Sequence, residues 1–207
     1  MTGLLSTRIA AAGPEDAEAL TTLEERVNRT ALAHVFPAEL PYPYDDVLVR
    51  WTLVLADPGA TTLAAWSGGE LVGFAAHDPG QLRHLAVSVD NFGSGLADDL
   101  YARVVRRWRR AGTRAVGLWV LAANTRARRF YERHGWVADG GQQECPWPPH
   151  PVELGYGLRL SPNAARDKVR QGVVRIGVRE HQHPGEADGK PVADLAAYPV
   201  RAAGHHG

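Results

Sequence analysis

Cysteine occurs once, at Cys145, so no disulfide forms within the chain. Lysine occurs only at Lys168 and Lys190; arginine carries nearly all the positive charge. Formal net charge is zero and the isoelectric point is about 7.1, which removes the bulk electrostatic footprint of a nucleic-acid binder. No apolar run is long enough to span a membrane. The segment after Met1 lacks a basic start followed by an apolar core, so no secretory signal is expected. His181, His183, His205 and His206 have no carboxylate or cysteine frame at metal-ligand spacing. These absences point to a cytoplasmic protein without metal, membrane or nucleic-acid partner.

What is present is enough for a core. The chain has 207 residues, 44% hydrophobic and 22% charged, an ordinary balance for one globular domain. The organising stretch runs from Leu82 to Gly112. From Arg83 to Val89 it alternates, with Leu85, Val87 and Val89 on one side and His84, Ala86 and Ser88 on the other. Asp90-Asn91-Phe92-Gly93-Ser94-Gly95 then has turn chemistry. A helix follows: Leu96, Leu100, Val104 and Trp108 recur every fourth residue, beside Ala97, Tyr101 and Val105. Asp98 and Asp99 in its first turn and arginines in its second half suit the helix dipole. Gly112 is the expected stop.

A glycine-rich turn opening a helix has a physical use, because the first amides of a helix lack internal partners and attract anions. This makes residues 93–97 a candidate phosphate cradle. The turn is neither a Walker loop, for no Lys follows, nor G-x-G-x-x-G, for the third glycine is missing. Taken alone it is equally a tight turn that binds nothing.

A second signal lies downstream. Ala115 to Leu121 reads as an apolar strand running into Asn124, a helix cap. Ala127, Phe130, Tyr131 and His134 then share a helix face that Gly135 ends. The pattern Val120-x-x-x-Asn124-x-x-Ala127-x-x-Phe130-Tyr131-x-x-x-Gly135-Trp136 closely resembles the second signature block of the GNAT acyltransferase superfamily. The first block of that family, a strand followed by Q/R-x-x-G-x-G/A, is similar to Val87 through Phe92-Gly93-Ser94-Gly95-Leu96-Ala97. Order and spacing fit, and the resemblance covers about residues 6 to 160. Two departures stand out: Phe92 replaces the usual Gln or Arg, and Ser94 replaces a residue that is often basic. Both leave the cradle less positive.

The resemblance implies an α/β (α+β type) fold: a mixed, mostly antiparallel sheet of about seven strands, with helices on both faces. Its fourth and fifth strands splay apart to admit a pantetheine arm. The chain order agrees. Strands are expected at Ser6–Ala12, Thr61–Trp66, Glu70–Ala76, 83–89, 115–121, 136–142 and 152–160. Helices are expected from Pro14 to near Asn28, over Val47–Ala56 with Asp45 or Asp46 as cap, from Leu96 and over 125–134. Residues 1–160 form the expected domain. Residues 161–207, rich in Gly, Pro, Arg and His, read as a partly or wholly flexible extension with one short strand at Val173–Val178.

The resemblance further implies acetyl-CoA as cofactor and direct acetyl transfer to an amine in a ternary complex. The cofactor set is Leu85, Val87, Phe92, Gly93, Ser94, Gly95, Leu96, Ala97, Asn124 and Arg128; Arg126, Arg129 and Arg133 on the same helix are candidates for the 3′-phosphate or, equally, a solvated helix face. Tyr131 stands where the family often carries the acid that protonates the thiolate, and its ordinary pKa near 10 suits an alkyl thiol. The base is open between His84 and Glu24, with Glu25 beside the latter. The acceptor is a small-molecule amine or a protein amino group. Phe36, Tyr42, Tyr44 and Trp51, with the neutral charge balance, favour a small or partly apolar one. A homodimer is left open, and so is a non-catalytic module that holds acyl-CoA or a protein partner.

Overall fold

The computed structural model describes residues 7–160. Four short-period segments pair as antiparallel neighbours in the order β1 (Arg8–Ala11), β2 (Thr61–Ser67), β3 (Glu70–His77) and β4 (Leu82–Val87). The turn between β2 and β3 is made by Gly68 and Gly69, both at positive φ (59° and 86°), a conformation that glycine adopts without steric cost. A second, three-stranded sheet has the order β5 (Ala115–Leu121), β7 (Val152–Arg159), β6 (Val137–Glu144), also antiparallel throughout.

Helices cover both faces, and period-two burial in β2 and β3 separates the two cores. Leu63, Ala65 and Ala75 face α3 (Leu96–Arg110) and α4 (Thr125–Arg133) in one cluster. Ala64, Phe74 and Ala76 face α1 (Ala17–Ala31) and α2 (Tyr44–Ala56) in the other. The four-residue stripe of α3 is fully used: Leu100 and Val104 are at 0% exposure. Gly73 allows a close approach where α3 crosses β3: a Cβ there would sit 3.0 Å from Val87 Cγ1 and 3.1 Å from Leu100 Cδ1, and those side chains would have to give by a few tenths of an ångström.

The two sheets meet through β4 and β5. These strands touch at one parallel bridge, Gln81 with Gly117, where the Gly117 amide donates to the Gly80 carbonyl at 2.8 Å. Beyond it they diverge, and β4 from Arg83 to Val87 pairs only with β3. The splay between the fourth and fifth strands is therefore present as expected.

Several boundaries differ from expectation. β4 ends at Val87, not Val89: residues 89–91 turn into a 3-10 coil, and Val89 is left 37% exposed. Pro14–Asp16 also form a 3-10 turn before α1, which runs on to Ala31 rather than stopping near Asn28. α2 starts three residues early, at Tyr44. Asp45 and Asp46 lie inside its first turn rather than capping it, where they still complement the dipole. Trp136 precedes β6 and is buried in the core instead of opening the strand. The expected strand at 173–178 lies outside the described residues.

Candidate active site

The divergence of β4 from β5 opens a cleft of about 500 Å³. One wall is the last two turns of α1 (Val27, Asn28, Ala31). The floor is β4 from His84 to Val87. The turn at Asn91–Gly95 forms one end, and α4 brings Asn124, Arg126, Phe130 and Tyr131.

The turn has the form of an anion cradle. Gly93 and Gly95 have φ of 77° and 89°, and the space around each missing Cβ is empty to 4 Å. The amides of Gly93, Gly95, Ala97 and Asp98 have no acceptor among the described residues, so four donors and a helix N-terminus converge on open space. Ser94 plays a local part. Its hydroxyl donates to the Asn91 carbonyl at 2.8 Å and accepts from the Leu96 amide at 3.3 Å. Leu96 is buried in the core.

Phe92 is not bare. The Arg126 guanidinium lies 3.6 Å above its ring centroid, a stacked cation–π contact. No carboxylate among the described residues pairs with Arg126. A cation thus stands over the position where the sequence lacks one, delivered by α4 instead of by the turn. Arg128, expected at the cofactor, is turned elsewhere: it donates to the Tyr156 hydroxyl and the Ala122 carbonyl, both at 3.1 Å, and does not line the cleft. Asp98 places a carboxylate at the mouth, held by His134 Nε2 at 3.0 Å and Arg133 Nη2 at 3.4 Å.

Asn124 serves two ends at once. Its Oδ1 accepts from the Ala127 amide at 3.0 Å and so caps α4. Its side-chain amide faces the cleft without a partner among the described residues. Tyr131 is 7% exposed and lines the same cleft. Its ring packs edge-on against Phe130 and Trp136, and its hydroxyl has no hydrogen-bond partner among the described residues. Burial, and secondarily the neighbouring Tyr101, push its phenol pKa upward, so it holds its proton more tightly than the match to an alkyl thiol expected from its ordinary value.

The two base candidates have different surroundings. His84 lies in the floor, 5.2 Å from the Trp51 ring. Burial, then the Arg50 charge, push its pKa down to about 3, so the imidazole is neutral at physiological pH. Glu24 does not line the cleft. Burial alone would raise its carboxyl, but the Arg50 charge, His84 and hydrogen bonds from Arg50 and Trp51 together hold it below the ordinary value. It is a buried ion-pair member, not a free carboxylate. Cys145 is 5% exposed and burial raises its thiol to about 11, which removes it as a nucleophile.

The first helix as expected, ending near Asn28, contains Val27 and Asn28 but stops short of Ala31, the third of the α1 wall residues. Nothing in the sequence marked the Phe92–Arg126 stack, whose members lie on different elements.

Antiparallel sheets splayed at one pair of strands, with helices on both faces, define the class of α/β fold. The chain belongs to the GNAT acetyltransferase family, whose family model matches residues 21–136. Solved structures share the fold. A GCN5-related N-acetyltransferase from Rhodopseudomonas palustris superposes with a TM-score of 0.64 at 19% identity, covering 77% of this chain and 100% of that one. The ribosomal-protein-S18-alanine N-acetyltransferase from Escherichia coli gives 0.59 at 19%, covering 75% and 95%. PaiA N-acetyltransferase from Thermoplasma acidophilum, solved with coenzyme A, gives 0.59 at 15%, covering 73% and 98%. No protein of curated function matches the sequence. Among the described residues no helix is long and apolar enough to cross a membrane, and no group of His, Cys, Asp or Glu is placed to hold a metal ion.

Proposed function

We propose that this chain is an acetyl-CoA-dependent N-acetyltransferase that moves the acetyl group directly to an amine in a ternary complex. The observation that carries this reading is the pairing of four amides without acceptors among the described residues at the 93–98 turn with the partner-free hydroxyl of Tyr131, a largely buried residue in the wall of the same cleft. Bound acetyl-CoA supplies an acetyl thioester, whose C–S bond is exchanged for a C–N bond to the amine.

The residues divide the work. The amides of Gly93, Gly95, Ala97 and Asp98 hold the pyrophosphate, and Arg126 leaves Phe92 to neutralise it. The open edge of β4 at Leu85 and Val87, with the Asn124 side-chain amide, orients the pantetheine arm. Tyr131 would give its proton to the sulfur as the bond to it breaks, and regain one from the solvent that reaches the cleft. His84, held neutral, accepts a hydrogen bond from the amine and sets its direction, while the amine proton leaves to water at the cleft mouth.

Calorimetric titration with acetyl-CoA and with coenzyme A, followed by thiol-release assays over a panel of amines, tests this. Micromolar binding with 1:1 stoichiometry (about 8 kcal/mol) and amine-dependent thiol release are expected. Binding without release for any amine leaves a non-catalytic acyl-CoA module; absence of binding removes the cradle reading.

A further inference from the structure

A second cavity adjoins the cleft. It has a volume of about 190 Å³, and Asn28 stands in the wall of both. Phe36, Leu40 and Tyr42 from the stretch after α1 line it, and Trp147 closes it from the β6–β7 loop. Tyr42 and Trp147 also pack against the α1–α2 core, so two loops far apart in sequence are fixed to one support. Four prolines in the lining (residues 37, 41, 43 and 148) lock their own φ angles. The cavity is thereby built before anything enters it, which lowers the ordering cost of a ligand.

Its charge inventory is short. Arg29 is the one ionic side chain in the lining, and its Nε is paired with Glu25 at 2.8 Å. Glu24 and Arg50, whose fields reach the Tyr42 hydroxyl, neutralise each other as an ion pair. The cavity therefore offers aromatic and aliphatic surface without unpaired charge. The polar side chains of the lining besides Arg29 are Asn28 and Tyr42, whose hydroxyl is buried without a partner among the described residues; both are neutral, so an ionic group entering the cavity would lose hydration and find no opposite charge.

We propose that this cavity is the acceptor's specificity pocket, and that it takes one uncharged, ring-sized apolar group while the amino group passes Asn28 into the main cleft. The volume decides the size: an apolar protein cavity of about 150 Å³ is enough to hold benzene. The substrate class is then a primary amine bearing a phenyl-like or comparable alkyl group, rather than a polyamine, an amino sugar or an acidic peptide. This rests on the N-acetyltransferase reading above.

The test is calorimetry on the full chain, alone and saturated with coenzyme A, using 2-phenylethylamine and ethanolamine as a matched pair. Burying one phenyl group predicts ten- to a hundredfold tighter binding of phenylethylamine. Trp147→Ala and Phe36→Ala should each cut that preference at least fivefold while leaving the affinity for coenzyme A within twofold. Phe36 is not among the residues packed against the α1–α2 core, as Trp147 is, so its variant keeps the test alive if Trp147→Ala does not fold. Equal affinity for the two amines, or a preference that neither variant changes, overturns the pocket. If coenzyme A binds but the preference is absent, only the pocket fails. If the preference holds and coenzyme A does not bind, the N-acetyltransferase reading fails and takes the acceptor role with it.

Discussion

Replacing Arg126 with Ala removes the cation that stands over Phe92, and the effect can be worked from the contact. A charge-assisted hydrogen bond to a phosphate is worth about 1.5–3 kcal/mol. Before it forms, the guanidinium must leave the Phe92 ring, where it lies 3.6 Å from the centroid; an exposed cation–π contact holds it by roughly 0.5–1 kcal/mol. The net loss in Arg126→Ala is therefore about 1–2 kcal/mol, or roughly 5- to 30-fold weaker binding of acetyl-CoA. The assay is calorimetry at 50 and 300 mM salt. The parent should lose affinity with salt, and Arg126→Ala should lose less, because one fewer cation is screened. Adding Phe92→Arg to Arg126→Ala returns a cation to the turn and should recover most of the affinity. If Arg126→Ala binds as tightly as the parent, with the same salt dependence, Arg126 is only a surface arginine resting on an aromatic ring.

Further outcomes follow from the same cleft. Tyr131→Phe should lower kcat by about 100-fold or more with acetyl-CoA affinity within twofold; unchanged turnover by thiol release removes Tyr131 as the acid. Because burial raises its phenol pKa, the parent rate should not fall between pH 8 and 10, and a descending limb there would contradict the assignment. Asp98→Asn removes the carboxylate that lines the mouth among the described residues and frees Arg133 and His134, so coenzyme A should bind about two- to fivefold tighter at low salt; weaker binding would show that Asp98 positions the turn. His84 has a folded pKa of about 3 against about 6.5 unfolded. The unfolded chain takes the proton first, so this contribution to stability is complete above pH 6.5 and is lost as pH falls towards 3. Between pH 7.5 and 5.5 the loss is on the order of 1 kcal/mol, and His84→Gln should flatten the parent's melting-temperature curve over that range.

The parts legible in the sequence were those in which a local pattern meets a local cause. Leu96, Leu100, Val104 and Trp108 repeat at helical spacing and all are buried; Gly112 and Gly135 stop helices at positive φ. Asn124 announced a cap and is one. What the sequence did not carry are meetings across the fold. Arg126 was one of four similar arginines on α4, and only the packing of that helix against the 91–95 turn tells it from Arg128, which is committed to Tyr156. The Glu24 carboxylate looked available until Arg50 and Trp51 from α2 closed on it. Helix ends were displaced by a turn or less, because caps compete with 3-10 extensions of nearly equal energy.

The parting of β4 from β5 has a consequence for how the chain avoids its own kind. Unpaired strand edges recruit other strands, and most proteins blunt them with charge, proline or a covering element. Here two such edges lie inside the molecule, facing each other across the gap that begins at Gln81 and Gly117. α1 flanks that gap, and His34, beyond its end, reaches the Ala123 carbonyl at 3.2 Å on the far side. A foreign strand would have to displace this wall to pair with the open rungs of β4, whereas, on the function proposed above, a thin, flexible chain of atoms enters from the Gly93–Gly95 end. The same geometry that leaves backbone groups unpaired for a ligand withholds them from aggregation.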